Sequence, residues 1–271
     1  MTRRHLIPID DLDAGHPALR FAQVNFPEDQ FHLLHVLQPG PLLDPEAQVS
    51  AADLAKARCR MQALGDGDVV EDGEPAAAIL EWARQGLFSL VVMGTQRRGR
   101  LERFFLGSVA EAVIRECPLP VVTVRDPGLP TAPVRRLVVL HDFSPAADRA
   151  LSTALDLWPA ADILMLHAYT PASLTAPFAL KVPEEGTAAQ RFAQSNQDWR
   201  REAQARLDAL GGGLVREGEP AALALDWANA GEVDLIAMGT ASRLAVDRLL
   251  FGSVAQQVVR ESPVPVLTVY A

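Results

Sequence analysis

Cysteine is scarce: Cys59 and Cys117 are the only two in 271 residues. They lack CxxC spacing, and no second His or Cys stands at metal-ligand spacing, so a zinc ribbon or dithiol redox site is set aside. Both read as reduced, mostly buried thiols. Excess positive charge is missing too. With 34 acidic against 25 basic residues the formal net charge is −9, which argues against the broad basic surface that nucleic acids require. No apolar run approaches the ~20 residues of a membrane-spanning helix. The opening MTRRHLIPIDD meets an acid within ten residues, unlike a secretory leader. A cytoplasmic protein with no nucleic-acid and no membrane partner is expected. GxxxxGK followed by Ser or Thr is absent, and so is GxGxxG after a first strand, so P-loop hydrolysis and Rossmann dinucleotide binding lack their marks.

What the chain has is repetition. Its composition, 49% apolar and 22% charged, suits a soluble globular protein, and its length suits one large or two ordinary domains. MGTQRRGRLERFFLGSVA, starting at Met93, returns as MGTASRLAVDRLLFGSVA at Met238, an offset of 145. EAVIRECPLPVVTV answers to QQVVRESPVPVLTV, and VVEDGEPAAAILEWA to LVREGEPAALALDWA, at that same offset. Earlier in the chain Asp10 answers to Asp142, and His35 to His167, at an offset of 132. The second copy therefore carries 13 additional residues between its second and third strands, around Pro171–Gly186. Two copies are too few for a solenoid. Two domains, 1–126 and 135–271, joined by a Pro/Gly-rich linker at 127–134, fit the pattern.

Each copy reads as alternating strands and helices. The predicted elements are strand HLIPID or RLVVLH, then helix HPALRFAQ or AADRALSTALDL. Strand FHLLHVL or DILMLHAY follows, then a longer helix over Pro45–Leu64 or Thr187–Leu210. Next come strand GDVVED or GLVREG, a helix opened by Pro75 or Pro220, and strand LFSLVVMG or VDLIAMG. A last helix begins near Ser108 or Ser253, and strand PVVTV or PVLTV ends the copy. Such alternation implies βαβ units and a parallel sheet covered on both faces. The fold class expected is α/β: two tandem, doubly wound, five-stranded parallel sheets flanked by helices. The last strand of each copy is apolar and needs a partner at the sheet edge. The same strand of the other copy serves, giving an intramolecular pseudo-dimer; pairing of whole chains into a homodimer is left open.

Ligands of open parallel sheets bind beyond the carboxyl ends of the strands. Asp10 and Asp142 follow strand one, Val36 and Ala168 follow strand two, and Met93-Gly94 and Met238-Gly239 end strand four. Gly107-Ser108-Val109 and Gly252-Ser253-Val254 open the last helix, whose free N–H groups suit an anion. The plain reading of Ser108 and Ser253 is as N-caps. His35 and His167 read as core or strand-end histidines, and Trp82 and Trp227 as core. Asp10, Asp11 and Asp13 could hold Mg²⁺, but a turn and helix-start role is the simpler one.

This arrangement resembles the universal stress protein family over both halves almost end to end. The nucleotide-binding branch of that family carries a glycine, two residues, a glycine, nine residues, then glycine and Ser or Thr. Gly94 and Gly107 fit the outer positions, as do Gly239 and Gly252. The middle glycine is replaced by Arg97 in one copy and Ser242 in the other, and Gly99 does not restore the spacing. The resemblance implies an adenine nucleotide α-hydrolase-like, Rossmann-like fold. It implies ATP, with Mg²⁺, as ligand: adenine near Asp10 with Pro8, Ile9 and Val36 alongside, and phosphates near Gly94, Gly107, Ser108 and Val109. The matching second-half positions are Leu140, His141, Asp142, Ala168, Gly239, Gly252, Ser253 and Val254, with Met93 and Met238 at the strand ends. Arg97 adds a Cβ where glycine would let N–H groups reach phosphate, and also a cation. Arg98 and Arg243 lie in the loops as phosphate candidates. Arg103 and Arg248 read as a solvated helix face or a salt bridge. Two functional readings stand: a stress-linked sensor or regulator that binds an adenine nucleotide, and a nucleotide-independent scaffold with degenerate loops. A weak ATP hydrolase would need a general base beside a water, and no residue is placed as one.

Overall fold

The computed structural model describes residues 2–38, 49–71, 73–95, 106–125, 132–170, 187–240 and 252–270. Arg97, Arg98, Gly99, Arg103, Ser242, Arg243, Arg248, the insertion at 171–186 and linker residues 127–131 lie outside this set. The first half runs β1 (Arg4–Pro8), α1 (Pro17–Asn25), β2 (Gln30–Leu37), α2 (Ala51–Leu64), β3 (Gly67–Glu71), α3 (Pro75–Arg84), β4 (Leu90–Gly94), α4 (Ser108–Glu116) and β5 (Val121–Val124). The second runs β6 (Arg136–Leu140), α5 (Pro145–Leu157), β7 (Asp162–Tyr169), α6 (Thr187–Ala209), β8 (Gly213–Glu217), α7 (Pro220–Asn229), β9 (Leu235–Gly239), α8 (Ser253–Glu261) and β10 (Val266–Val269).

The central strands are apolar throughout because helices cover both faces. Along β4, Leu90 and Val92 enter one helical layer while Val91 and Met93 enter the other, as the two-residue period of a strand requires. The last helices bury one stripe each: Ala110, Val113 and Ile114 on α4, and Ala255, Val258 and Val259 on α8. Proline opens α1, α3, α5 and α7, where a missing N–H costs nothing.

The strands among the described residues join one ten-stranded sheet in the order β3-β2-β1-β4-β5-β10-β9-β6-β7-β8. Each half is parallel and reverses direction of winding between β1 and β4, or β6 and β9. The expected seam is present: β5 and β10 pair antiparallel, with Leu267 opposite Val122. Helix ends reinforce it. The rings of Phe26 and Trp158, equivalent positions after α1 and α5, lie 5.5 Å apart. Trp158 Nε1 donates to Asn25 Oδ1 at 3.2 Å, and Arg3 pairs with Asp156 at 2.7 Å. Both hydrophobic clusters contain residues of both halves.

Four sequence expectations change. Gly107 and Gly252 are the N-caps of α4 and α8, so Ser108 and Ser253 are first helical residues and not caps. Cys59 is exposed and only Cys117 is buried. Val36 and Ala168 lie inside β2 and β7 instead of after them. Strand three aligns one residue away from the sequence match: Val69 pairs with His35 and Val215 with His167. Aligning Val69 with Leu214 would put equivalent residues on opposite faces of the sheet.

Candidate functional site

In the second half the strand ends enclose a cleft of about 210 Å³. Leu140, His141 and Asp142 come from the end of β6 and Ala168 from β7. Met238 and Gly239 come from β9, and Gly252, Ser253 and Val254 from the start of α8. Nine of the second-half positions matched to a nucleotide site in the sequence, and His167 beside them, therefore line one cavity, at the point where the winding reverses. Leu166, Pro220, Ala147 and Ala255 complete its apolar walls, and Thr240 adds a hydroxyl. At one end α8 begins at Gly252 without a side-chain cap, and the first-turn N–H groups and dipole of a helix suit an anion.

The first half builds the same strand ends from Pro8, Ile9, Asp10, Val36, Met93 and Gly94, with Gly107, Ser108 and Val109 at the start of α4. Ile9 N donates to Leu34 O at 2.9 Å, and Gly107 N to Thr95 O at 3.1 Å. Its turn after β1 differs. Ser144 caps α5 by accepting from Ala147 N at 3.2 Å, and Pro145 follows. The residue equivalent to Pro145 is Asp13, and α1 starts one turn later, at Pro17. Asp13 instead accepts from Gly15 N at 2.9 Å, and His16 Nε2 lies 3.0 Å from Asp10 Oδ1. Arg60 of α2 donates to Leu12 O at 2.6 Å and to Asp11 Oδ1 at 3.4 Å. The acidic trio is thus engaged in turn contacts. Among the described residues no group of three or more His, Cys, Asp or Glu is placed to hold a metal ion.

This difference sets the two strand-end glycines apart. A Cβ at Gly239 would fall 2.6 Å from the carbonyl carbon of Ala146, in the first turn of α5. At Gly94 the nearest atom would be His16 Cε1 at 3.7 Å, an ordinary contact. Gly239 is required by helix packing, and Gly94 is not.

The histidines at strand two are ties. His35 Nδ1–H donates to Ile9 O at 2.9 Å and His167 Nδ1–H to His141 O at 2.6 Å. Each fixes the carbonyl just before Asp10 or Asp142. Burial pushes the His141 and His167 imidazoles below their ordinary values. Phe143 N donates to His141 Nδ1 at 3.2 Å, so the neutral ring carries its proton on Nε2, 3.3 Å from Asp148 Oδ1. Trp82 and Trp227 are half-buried at the rim of the second apolar cluster.

A Ser-His-Asp order also occurs at the other end of the sheet. Ser89 Oγ lies 3.2 Å from His5 Nδ1, and His5 Nε2 lies 2.9 Å from Asp29 Oδ2. The Ser89 amide is committed to Arg4 O at 3.0 Å, and His5 is fully buried against Phe26. This is a clamp between strand starts, since a triad needs open amides beside the nucleophile. Two features escaped sequence reasoning: the His16–Asp10 contact, which DLDAGHP could have signalled against DFSP, and the grip of Arg60 and Arg206 on the turns after strand one. Among the described residues no helix is long and apolar enough to cross a membrane.

Comparison with known proteins finds two successive matches to one family along the chain. The model described as the universal stress protein family matches residues 1–125 and again 133–270. A universal stress protein of Thermus aquaticus is 36% identical over 142 residues, covering 50% of this chain and 98% of that protein. One from Methanocaldococcus jannaschii is 46% identical over 56 residues, 21% of this chain; the match spans 33% of that relative. The crystal structure of a universal stress protein from Archaeoglobus fulgidus superposes with a TM-score of 0.65 over 98% of both chains, at 20% identity, a likeness of fold.

Proposed function

The chain belongs to the universal stress protein family as a tandem of two copies, and we propose that it is a stress-linked regulator that binds an adenine nucleotide at its strand ends. The observation that carries this reading is the second-half cleft, where Asp142 and the uncapped start of α8 line one cavity. Its residues fit the ligand. Leu140, Leu166 and Ala168 offer apolar walls to a base, with Asp142 as acceptor for its donors. Gly252, Ser253 and Val254 offer amides and a hydroxyl to phosphates. Mg²⁺ would be held mainly by phosphate oxygens and water, as this ion usually is. The first-half strand ends offer a second site of the same class, with Arg97 and Arg98 as cations for phosphate. Nothing in this reading requires turnover, and the protein acts by binding.

Titration of the folded protein with MgATP tests the reading. Saturable binding that weakens at least tenfold in Asp142→Ala supports it. Folded protein that takes up no nucleotide at millimolar concentration overturns it. The absence of the middle glycine, replaced by Arg97 and Ser242, favours a second reading, a scaffold that works without nucleotide. Under that reading Arg97→Gly and Ser242→Gly would create binding that the native chain lacks.

A further inference from the structure

The turn after Asp142 holds a conformation its sequence does not favour. Phe143 has φ 59° and is the one non-glycine residue with positive φ among those described. A bulky side chain is rare in that region and stays there only when its surroundings hold it. The Phe143 ring is buried, 4.5 Å from the His167 ring. Over it lies the Arg206 guanidinium, 3.9 Å from the ring centroid. Arg206 belongs to α6, the second helix of its half, and the Trp199 ring of that helix lies tilted against His167, 5.4 Å between centroids.

The first half has the same grip in different chemistry. Asp11 stands where Phe143 stands, directly after the strand-end aspartate. Met61 of α2 and Leu207 of α6 pack against the equivalent glycines Gly67 and Gly213, which aligns Arg60 with Arg206. Arg60 holds its turn by an ion pair with Asp11 and a hydrogen bond to Leu12 O. Two copies that have diverged in the turn and in the intervening insertion both keep an arginine of the second helix on the residue after the aspartate.

We propose that Arg206 and Arg60 are positioning residues for the two strand-end clefts: each ties the turn after Asp142 or Asp10 to the second helix of its half and so fixes the aspartate that lines the site. In the second half the link is direct, because Ser144 N donates to Asp142 Oδ1 at 3.0 Å. Loosening the Phe143 turn releases the carboxylate. The proposal rests on the nucleotide reading for its ligand but not for its geometry.

The test compares Arg206→Met with Arg200→Met. Arg200 is on the same helix and lies over Tyr169 at 5.9 Å, away from the turn. Two measurements are made on the full chain: MgATP affinity by calorimetry, and amide exchange at Phe143 and Ser144. Arg206→Met is expected to weaken binding roughly threefold to fivefold, the scale of an exposed cation–π contact, and to speed exchange at both amides. Arg200→Met should do neither, and Arg206→Lys should recover most of the loss. If the native protein binds no nucleotide, the nucleotide reading falls and exchange alone decides: faster at Phe143 and Ser144 in Arg206→Met than in Arg200→Met supports the positioning role, and equal rates overturn it. Wild-type affinity in Arg206→Met, with or without faster exchange, also overturns it.

Discussion

Thr123 and Thr268, equivalent positions in the two copies, each donate a hydroxyl across the seam. Thr123 Oγ1 reaches Val266 O at 3.3 Å, and Thr268 Oγ1 reaches Val121 O at 3.2 Å. The four residues form two equivalent pairs around Val122 and Leu267, which face one another. This is the self-complementary contact of a two-fold dimer, made within one chain. Thr123→Val and Thr268→Val each remove one buried hydroxyl bond and should cost about 1 kcal/mol. The symmetry requires similar costs, and urea unfolding curves measure them. Values differing by more than about 1 kcal/mol would show that the two sides of the seam are not equivalent.

The strand-end glycines should behave unequally. Gly239→Ala forces a methyl into the Ala146 backbone, and overpacking of this kind costs about 1–3 kcal/mol. Gly94→Ala meets only the edge of the His16 ring at contact distance, and should be near neutral. Denaturant midpoints of the two variants check this; equal losses would mean that the α1 and α5 starts are packed alike.

Much of this architecture was legible in the sequence because the chain repeats. The order of elements and the pairing of the last strands follow from matching one copy to the other, while the nine cleft positions of the second half follow from the strand-end rule and the family resemblance carried across the repeat. The misses have local causes. Asp13 and Gly15 make a turn where the second copy has Ser144-Pro145, so helix one starts later than the match suggests. Phe143 adopts a left-handed backbone without the glycine or asparagine that signals one. The serines look like caps, but Gly107 and Gly252 stand one place earlier and take that position. The relation of Arg60 to Arg206 is hidden because the insertion breaks the simple offset, and only the packing of Met61 and Leu207 restores it.

Acid should destabilise the fold before its carboxylates titrate. Burial lowers the His5, His141 and His167 values despite the nearby carboxylates of Asp29, Asp148 and Asp142. The unfolded chain then binds protons at about pH 6.5 while the folded chain resists. Stability from these groups is complete above that pH and is lost as pH falls from about 6.5 towards the lowered folded values. Bonds from His32 and Arg4 hold the Asp66 carboxyl low, and Arg260 does the same for Glu261, so those contributions disappear only at lower pH. Unfolding free energy is expected to drop between about pH 7 and pH 5, with a smaller drop in His167→Asn, whose amide retains a donor for the His141 carbonyl. A flat profile in that interval would mean that the histidines take up protons equally in the folded and unfolded chains.

The two cysteines should separate cleanly by reactivity. Cys117 closes α4, is 1% exposed, and burial pushes its thiol up to about 11. Thiolate is the reactive form, so Cys117 lacks both access and charge. Cys59 lies exposed on α2. A disulfide reagent at pH 8 is expected to titrate one thiol in the folded protein and two in denaturant, with Cys59→Ser removing the fast phase. Protection of Cys117 then becomes a direct measure of opening in the α4 layer, which packs beside the first-half strand ends. If MgATP binds there, it should slow Cys117 labelling under mild denaturant while leaving Cys59 unchanged, because ligand binding stabilises the closed state by mass action. Equal slowing at both thiols would point to a direct effect of nucleotide on the reagent.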